Sequence, residues 1–257
     1  MKRAAMKNYG GNCVRSFDLA KGTRHDFSQQ PYVYFYYRTR PAEEFTLNKL
    51  GACSVFIYDI GPSAIVEVLP SGERLFKGDA LQAEGQEIKL RVTGGVVQFL
   101  IAGVLSSVVQ QPLLQVFRAQ KIKRVQKPWG FELWINGEHP GYAFKYIWIK
   151  QGFRTSLQYH HFKQETNVLM EGRAKCSFKI DRTVANDDVR NKDIGFFNIK
   201  AVSVLDIQPR IIHRIESLTD IILCEVSTPH LDDVIRITDD ANRTSGRIAL
   251  EHKWKKR

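Results

Sequence analysis

One short stretch of the sequence concentrates side chains that can bind a metal. Within residues 152–172 the chain places Gln158, His160 and Glu165 two and then five positions apart. Side chains alternate between the faces of a β-strand, so Gln158 and His160 are expected to share a face, and Glu165 follows closely enough to return on the next strand. His213, in an apolar stretch, is the fourth candidate. An amide oxygen, two imidazoles and a carboxylate suit one divalent transition metal, and they do not select among Zn, Mn, Fe, Co and Ni.

The spacing of these residues also resembles a known family. It is similar to the first cupin motif, Gly-x5-His-x-His-x3-4-Glu-x6-Gly, with Gln158 in place of the first histidine. Residues 127–243 resemble the cupin domain of type II mannose-6-phosphate isomerases, which is often fused behind a GDP-mannose pyrophosphorylase. Besides the motif, the matching segments are Lys127-Pro128-Trp129-Gly130, Tyr142, Lys145, Lys150 to Gly152, Arg154, His213 to Glu216, Asp233 to Arg236, Asp239-Asp240 and Arg243.

The resemblance implies a metal-dependent aldose–ketose isomerase that acts on a sugar phosphate. In the family, basic residues of the matched segments bind the substrate, which here indicates Lys145 and Arg154. Arg154 is favoured for the phosphate because a guanidinium pairs with two phosphate oxygens at once. Arg236 and Arg243 are further substrate-binding candidates, and pairing with neighbouring aspartates is the alternative for both.

Isomerisation also requires a general base that moves a proton between neighbouring carbons. His161 and Lys163 lie beside the expected ligands and are the candidates. His161 is favoured for its near-neutral intrinsic pKa, although strand alternation points it away from His160.

Two departures from the family pattern keep other functions open. The second cupin motif normally reads Pro-x-Gly-x-x-His, whereas this chain has the shorter run Pro209 to His213 without the glycine, and Thr166-Asn167 stands where the family tends to have His-Trp. The alternatives are a cupin enzyme of another kind, such as a nucleotide-sugar epimerase or an Fe(II) oxygenase, and a carbohydrate-binding cupin without turnover.

The rest of the chain predicts an all-β protein. Runs of β-branched and aromatic residues alternate with Gly, Pro, Asp and Ser, as expected for a jelly roll (double-stranded β-helix) of the cupin type. A faint repeat at 124 residues places Lys89 at the position of His213 and suggests a bicupin. We therefore expect a degenerate N-terminal barrel without metal at residues 1–118 and a metal-binding barrel at residues 119–257. Short helices are expected near residues 106–119 and 181–191.

The charge and cysteine content of the chain indicate which classes of partner it binds. The net charge of +11 comes partly from basic runs at residues 121–127 and 253–257, which are typical of a solvated linker and tail. Because no nucleic-acid-binding motif accompanies them, the charge favours an anionic sugar or sugar-phosphate substrate over nucleic acid. Four scattered cysteines without an export signal or a long apolar run predict a cytoplasmic protein with no membrane partner. We also expect a homodimer.

Overall fold

The computed structural model describes residues 7–9, 12–20, 22–48, 50–106, 112–179 and 194–252. In these residues the chain is built of β-strands, with two short 3-10 turns at Ala119–Lys121 and Ala249–His252. It divides into two compact units. One unit comprises Asp18–Lys123 and Ile135–Phe144, and the other comprises Met1–Phe17, Arg124–Trp134 and Lys145–Arg257.

The first unit, called here the N-terminal unit, contains two antiparallel sheets. A six-stranded sheet has the order β12-β9-β6-β11-β4-β3, and a four-stranded sheet has the order β5-β10-β7-β8. The strands are β3 (Thr23–Asp26), β4 (Tyr32–Arg38), β5 (Glu43–Leu47), β6 (Ala52–Ile60), β7 (Ile65–Leu69), β8 (Glu73–Leu75), β9 (Ala80–Glu84), β10 (Ile88–Thr93), β11 (Val97–Val104) and β12 (Leu113–Phe117).

The core of the N-terminal unit joins its two sheets. Val55 and Phe99 of the six-stranded sheet belong to the same buried cluster as Val68 and Leu90 of the four-stranded sheet. In β10 the burial alternates strictly, as expected for a strand with one face on the core. The unit is therefore a sandwich with an apolar interior.

The second unit, called here the C-terminal unit, contains an eight-stranded sheet of order β1-β2-β20-β17-β22-β15-β14-β13 and a five-stranded sheet of order β19-β18-β21-β16-β23. The strands are β1 (Lys7–Tyr9), β2 (Asn12–Ser16), β13 (Lys123–Lys127), β14 (Gly130–Asn136), β15 (Ala143–Ile149), β16 (Leu157–Tyr159), β17 (Glu165–Glu171), β18 (Arg173–Lys179), β19 (Gly195–Lys200), β20 (Ser203–Ile207), β21 (Ile212–Ser217), β22 (Ile221–Ser227) and β23 (Ile235–Thr238). Because β2 pairs with β20, residues 12–16 belong to this unit.

On three strands of the C-terminal unit, polar inward-facing residues lie next to apolar residues of the core. On β17, Leu169 lies in the apolar core, whereas Glu165, four positions earlier, lines a cavity. On β22, Leu223 belongs to the core and Glu225 lines the cavity; on β21 the equivalent pair is Ile215 and His213. Residues two or four apart point to the same face, so the strands place a packed core and a polar cavity inside one barrel.

Two glycines of the ligand stretch allow the turns that flank it. Gly152 has a φ of +79° and Gly172 a φ of +85°, in the left-handed region that favours glycine. A Cβ on Gly172 would also lie 2.2 Å from the carbonyl oxygen of Asp220. The spacing of these glycines therefore has a structural cause at both ends.

The predicted all-β class is confirmed, and two other expectations fail. The helix expected near residues 106–119 is wrong where the structure describes it, because Leu113–Phe117 pairs with Ala80–Glu84 as a strand. The basic run at residues 121–127 is not a solvated linker, since Lys123–Lys127 is a strand and the side chain of Lys127 is buried. Residues 181–191 and 253–257 lie outside the described residues. No helix among the described residues is long and apolar enough to cross a membrane.

Candidate metal centre

Three buried side chains converge inside the C-terminal unit. His160 directly follows β16, Glu165 begins β17, and His213 is the second residue of β21. Each is exposed by 4% or less. Nε2 of His213 lies 3.3 Å from Oε1 of Glu165, Nε2 of His160 lies 3.9 Å from Oε2, and one donor atom from each residue falls within 4.8 Å of the others. The three predicted ligands with titratable side chains thus form one cluster.

Hydrogen bonds orient both imidazoles toward this cluster. Nδ1 of His213 lies 2.9 Å from the carbonyl oxygen of Ile211, and Nδ1 of His160 contacts the carbonyl oxygen of Asp233. A carbonyl only accepts, so each Nδ1 carries the proton and each Nε2 presents a lone pair to the cluster. This arrangement is the one that metal-binding histidines adopt.

The carboxylate of Asp233 fixes the loop that carries His160. It accepts hydrogen bonds from the backbone N–H groups of His161 and Lys163 at 3.0 and 2.9 Å, and also from that of Phe162. Burial raises the pKa of Asp233, but the three backbone hydrogen bonds lower it by more than burial raises it. The net pKa therefore lies below the ordinary value of an aspartate. The loop is therefore held by an ionised side chain behind the candidate ligands.

Among the described residues the His213 side of the cluster has no positive partner, whereas Oε2 of Glu165 contacts the ammonium of Lys163. Nε2 of His213 is buried, has no hydrogen-bond partner and faces an oxygen of Glu165. Two acceptors in this position are stabilised by a cation between them. Burial, reinforced by the charge of Lys163, lowers the pKa of His160 to about 3, so this imidazole is neutral near pH 7 and available to a metal. The residues fit a divalent metal.

Gln158 and Asn167 add amide groups beside the cluster. Nε2 of Gln158 lies 3.5 Å from Nε2 of His160, so rotation of the amide by 180° places its oxygen among the candidate ligands. Asn167 donates from Nδ2 to Oε1 of Glu165 at 3.2 Å and is buried. The residue that departs from the family pattern at position 167 therefore orients the carboxylate ligand.

The cluster opens on a charged cavity of about 850 Å³, including its mouth. The basic residues that line it are Lys127, Lys145, Lys163, Arg236, Arg243 and Arg247. The acidic residues are Glu132, Glu165, Glu225 and Glu251. Basic groups therefore outnumber carboxylates even before a divalent metal is counted, and a cavity of this sign attracts anions.

Lys163 is an ion-pair partner and not the free amine that a general base requires. Its Nζ contacts Oε2 of Glu165 and lies 2.9 Å from Oε1 of Glu225, and all three side chains are buried. Burial alone lowers the pKa of Lys163, but the two carboxylates raise it well above the ordinary value. The same lysine outweighs the effect of burial on Glu165 and holds the pKa of that carboxyl well below its usual range. The expectation that Lys163 accepts a proton is therefore corrected.

His161 does not reach the cavity. It is exposed, it is absent from the cavity lining, and its ring packs edge-on against Tyr159 at 5.4 Å between centroids. The alternation of side chains after β16 turns it away from His160, as strand geometry dictates. The expectation that His161 is the general base is therefore corrected as well.

The four predicted substrate-binding residues lie in different places. Lys145, Arg236 and Arg243 line the cavity. Arg154 is exposed outside it and pairs with both oxygens of Asp240, at 2.7 and 3.0 Å. The expectation that Arg154 binds the substrate phosphate is therefore corrected, because its guanidinium is directed to a surface carboxylate.

Several residues of the cavity were missed in the sequence. Lys145 lies 3.6 Å from Glu225 and 4.0 Å from Glu132, which also accepts a hydrogen bond from Nε1 of Trp134 at 2.8 Å. Glu225 had a visible signal, a single carboxylate in the apolar run of β22. Lys127 belongs to a segment that matches the family, but its basic run indicated a solvated linker. Glu132 had no signal, because only the fold brings it within 3.7 Å of Lys127.

Comparison with known proteins supports the fold. No protein family and no curated protein matches the sequence. Among solved structures, the chain is similar to an oxalate decarboxylase from Lactobacillus farciminis in a formate complex, with 14% identity, a TM-score of 0.58, and coverage of 91% of this chain and 86% of that chain. The E. coli protein Ylba gives 10% identity and a TM-score of 0.64, over 89% of this chain and 95% of that chain. The chain has a cupin fold.

A third structural neighbour contains manganese. The oxalate decarboxylase from Bacillus subtilis, studied for its Mn(II) centres, has 10% identity and a TM-score of 0.55, over 88% of this chain and 75% of that chain. At these identities the similarity establishes the cupin fold alone. In this chain His160, Glu165 and His213 are the residues that could hold a divalent metal.

The buried carboxylates predict a loss of stability in acid. Burial raises the pKa of Glu132, but Lys145 and Lys127 lower it to about 2. The folded pKa lies below the unfolded one, so this contribution is present above the ordinary glutamate range and is lost as pH falls toward 2. Urea unfolding of Glu132→Gln should show a pH dependence between pH 5 and 2 that is smaller by about 3 kcal/mol than that of the unmodified protein. The same pH dependence in both proteins would contradict this, and Glu87→Gln, at an exposed surface pair, is the control.

Proposed function

We propose that this protein is a metal-dependent enzyme of carbohydrate metabolism that isomerises a phosphorylated aldose to the ketose. The observation that carries the proposal is a buried His160–Glu165–His213 cluster at the end of a cavity with a basic majority. A bound divalent metal would act as a Lewis acid on a carbonyl oxygen and on the hydroxyl of the neighbouring carbon, which favours removal of the C–H proton from that hydroxyl-bearing carbon. The resemblance of residues 127–243 to type II mannose-6-phosphate isomerases makes mannose 6-phosphate the first substrate to test.

Within the cavity, Glu225 takes the role that His161 and Lys163 do not fill. It lies opposite Asn167 on the neighbouring strand, and Lys163 bridges it to Glu165. A carboxylate accepts the proton of the hydroxyl-bearing carbon and returns it to the former carbonyl carbon, while the hydroxyl proton passes to the former carbonyl oxygen. The ammonium of Lys163 stabilises the negative charge that develops on oxygen during this exchange. We assign proton transfer to Glu225 and charge stabilisation to Lys163.

The experiment is a screen of hexose and pentose phosphates for aldose–ketose conversion by metal-loaded protein. Glu165→Gln should reduce turnover at least 1000-fold, because it removes a carboxylate ligand and leaves the ammonium of Lys163 without one of its two carboxylate partners. Arg154→Ala should leave KM within about twofold, since its guanidinium lies outside the cavity. Absence of conversion across the panel with metal fully loaded would refute the isomerase.

A second candidate is metal-dependent chemistry on a small carboxylate, such as decarboxylation. It is favoured by the ammonium of Lys163, which contacts a candidate ligand and would lie beside a carboxylate bound at the metal. Oxalate and malonate therefore belong in the same screen. Failure of every substrate would leave the nucleotide-sugar epimerase, the Fe(II) oxygenase and the non-catalytic carbohydrate-binding cupin as the remaining classes.

We also propose that the N-terminal unit is a degenerate copy of the barrel, which makes the chain a bicupin. A shift of 124 residues brings the first residues of β10 and β11, Ile88 and Val97, onto those of β21 and β22, Ile212 and Ile221. At the position of His213 this register places Lys89, which is exposed and lies 3.0 Å from Glu87. We assign this unit a role in structure or dimerisation. The mass of the protein in solution tests whether it forms a dimer.

A further inference from the structure

One carboxylate in the cavity belongs to the end of the chain and lies between two basic groups. Glu251 is in the 3-10 turn Ala249–His252. Its Oε2 lies 2.8 Å from Nζ of Lys127, and its Oε1 lies 3.2 Å from Nη1 of Arg243. The three side chains are 8 to 12% exposed. Each oxygen of one carboxylate therefore has its own cationic donor.

The two cations are positioned independently of Glu251. Arg243 is held through Nε and Nη2 by Asp239, with Nη2 2.7 Å from Oδ2, and Nη2 also lies 3.2 Å from the hydroxyl of Ser156. This leaves Nη1 directed to Glu251. Lys127 ends β13 and lies 3.7 Å from Glu132 in addition to Glu251. Removal of the Glu251 side chain would therefore leave a preformed pair of donors.

Such a pair suits an oxyanion. The separation of oxygens in a carboxylate is close to that in a phosphate, so donors that fit one fit the other. A fixed guanidinium edge and an ammonium are the groups that most often bind phosphate in proteins. Both residues line the same cavity as the His160–Glu165–His213 cluster.

We propose that Lys127 and Arg243 form the phosphate subsite of this cavity and that Glu251 occupies it until a phosphate displaces its carboxylate. The inference rests on the proposed function in taking the substrate to be a sugar phosphate. Glu251 then acts as an internal competitor, and the segment from Gly246 to His252 moves when the phosphate enters. Of this segment, Gly246, Arg247, Ile248 and Glu251 line the cavity, so displacement of Glu251 also widens the cavity mouth.

The experiment measures binding of inorganic phosphate by calorimetry, without reference to turnover. Glu251→Gln keeps the shape of the side chain and removes its charge, so it should bind phosphate at least tenfold more tightly than the unmodified protein. Adding Lys127→Met to Glu251→Gln should reverse this gain. Glu138→Gln, at an exposed position, changes the net charge equally and should leave the affinity unchanged.

Three outcomes would overturn the subsite. Equal phosphate affinity of the unmodified protein and Glu251→Gln, with a lower melting temperature for the variant, would show a purely structural ion pair. Affinity that survives Lys127→Met would place the phosphate elsewhere, and affinity that disappears with chelation of the metal would place it on the metal. Because calorimetry measures phosphate binding without any turnover, it can detect the subsite even when the screen finds no isomerase activity. Sugar phosphates and the matching unphosphorylated sugars, tested in parallel, separate a substrate subsite from a site for free phosphate.

Discussion

Replacement of His213 by alanine is expected to abolish binding of the divalent metal, from one equivalent per chain to below about 0.1. Its Nε2 is buried without a hydrogen-bond partner and faces Glu165, so the variant loses one of three donors that lie within 4.8 Å of one another. A site reduced to two protein donors loses both affinity and geometry. His160→Ala is expected to give the same loss. The measurement is elemental analysis after dialysis against a defined mixture of divalent metals.

The chain supplies a matched control in the histidine next to the first ligand. His161 is exposed and directed away from the cavity, so His161→Ala should keep the full metal content. The control separates loss of a ligand from loss of any histidine in the same loop. Full metal content in His213→Ala or in His160→Ala would exclude this metal centre.

The arrangement of the candidate metal ligands could be predicted from the sequence because local geometry decides most of it. Gln158 and His160 are two positions apart next to a strand, and their side chains meet at 3.5 Å. Gly152 and Gly172 mark the turns at both ends of the stretch. Only His213 comes from a distant strand, and its place in an apolar run made it visible. Gln158 and His213 are opposite each other in the pairing of β16 with β21.

The charges around the ligands could not be predicted in the same way. Lys163 follows the first ligand closely, yet its partner Glu225 lies 62 positions later, and only the pairing of β17 with β22 brings the two together. The sequence suggests a reactive amine at Lys163, whereas the barrel makes it a permanently charged ion-pair partner. The closeness of Lys163 to His160 in the sequence therefore predicted its place beside the candidate ligands correctly and its role as a proton acceptor wrongly.

Arg154 shows the limit of transferring a role by resemblance. The matched segment indicates a phosphate-binding guanidinium, but in this chain Asp240 pairs with it at the surface. Lys127 shows the reverse, because it belongs to a run that suggests a solvated linker and lies buried against Glu251. Whether a basic residue lines a cavity is decided by strand order and by the path of the C-terminal segment, and neither is visible in local composition.

Replacement of Lys163 by methionine is expected to lower the free energy of unfolding by about 3–5 kcal/mol, the largest stability effect predicted for this protein. The substitution keeps much of the side-chain volume and leaves Glu165 and Glu225 buried without their shared ammonium. Removing one member of a buried ion pair leaves an uncompensated charge, which is far more destabilising than loss of a surface pair. Urea unfolding of metal-free protein at pH 7 measures the difference.

The contrast with a surface lysine makes this prediction specific. Lys77 lies 2.8 Å from Asp59, almost the distance between Lys163 and Glu225, but the side chains of Lys77 and Asp59 are 68% and 39% exposed. Lys77→Met should therefore change the free energy of unfolding by less than about 1 kcal/mol. Adding Glu225→Gln to Lys163→Met removes one of the two carboxylates that lost the ammonium of Lys163. Because Lys145 still lies 3.6 Å from Glu225, the double variant should regain only a small part of the lost stability. Metal bound at Glu165 should restore a further part, since it replaces the missing positive charge.

Equal effects of Lys163→Met and Lys77→Met on the free energy of unfolding would contradict the prediction. They would mean that water reaches Glu165 and Glu225 and screens their charges. The same water would compete with His213 and Glu165 for a bound metal.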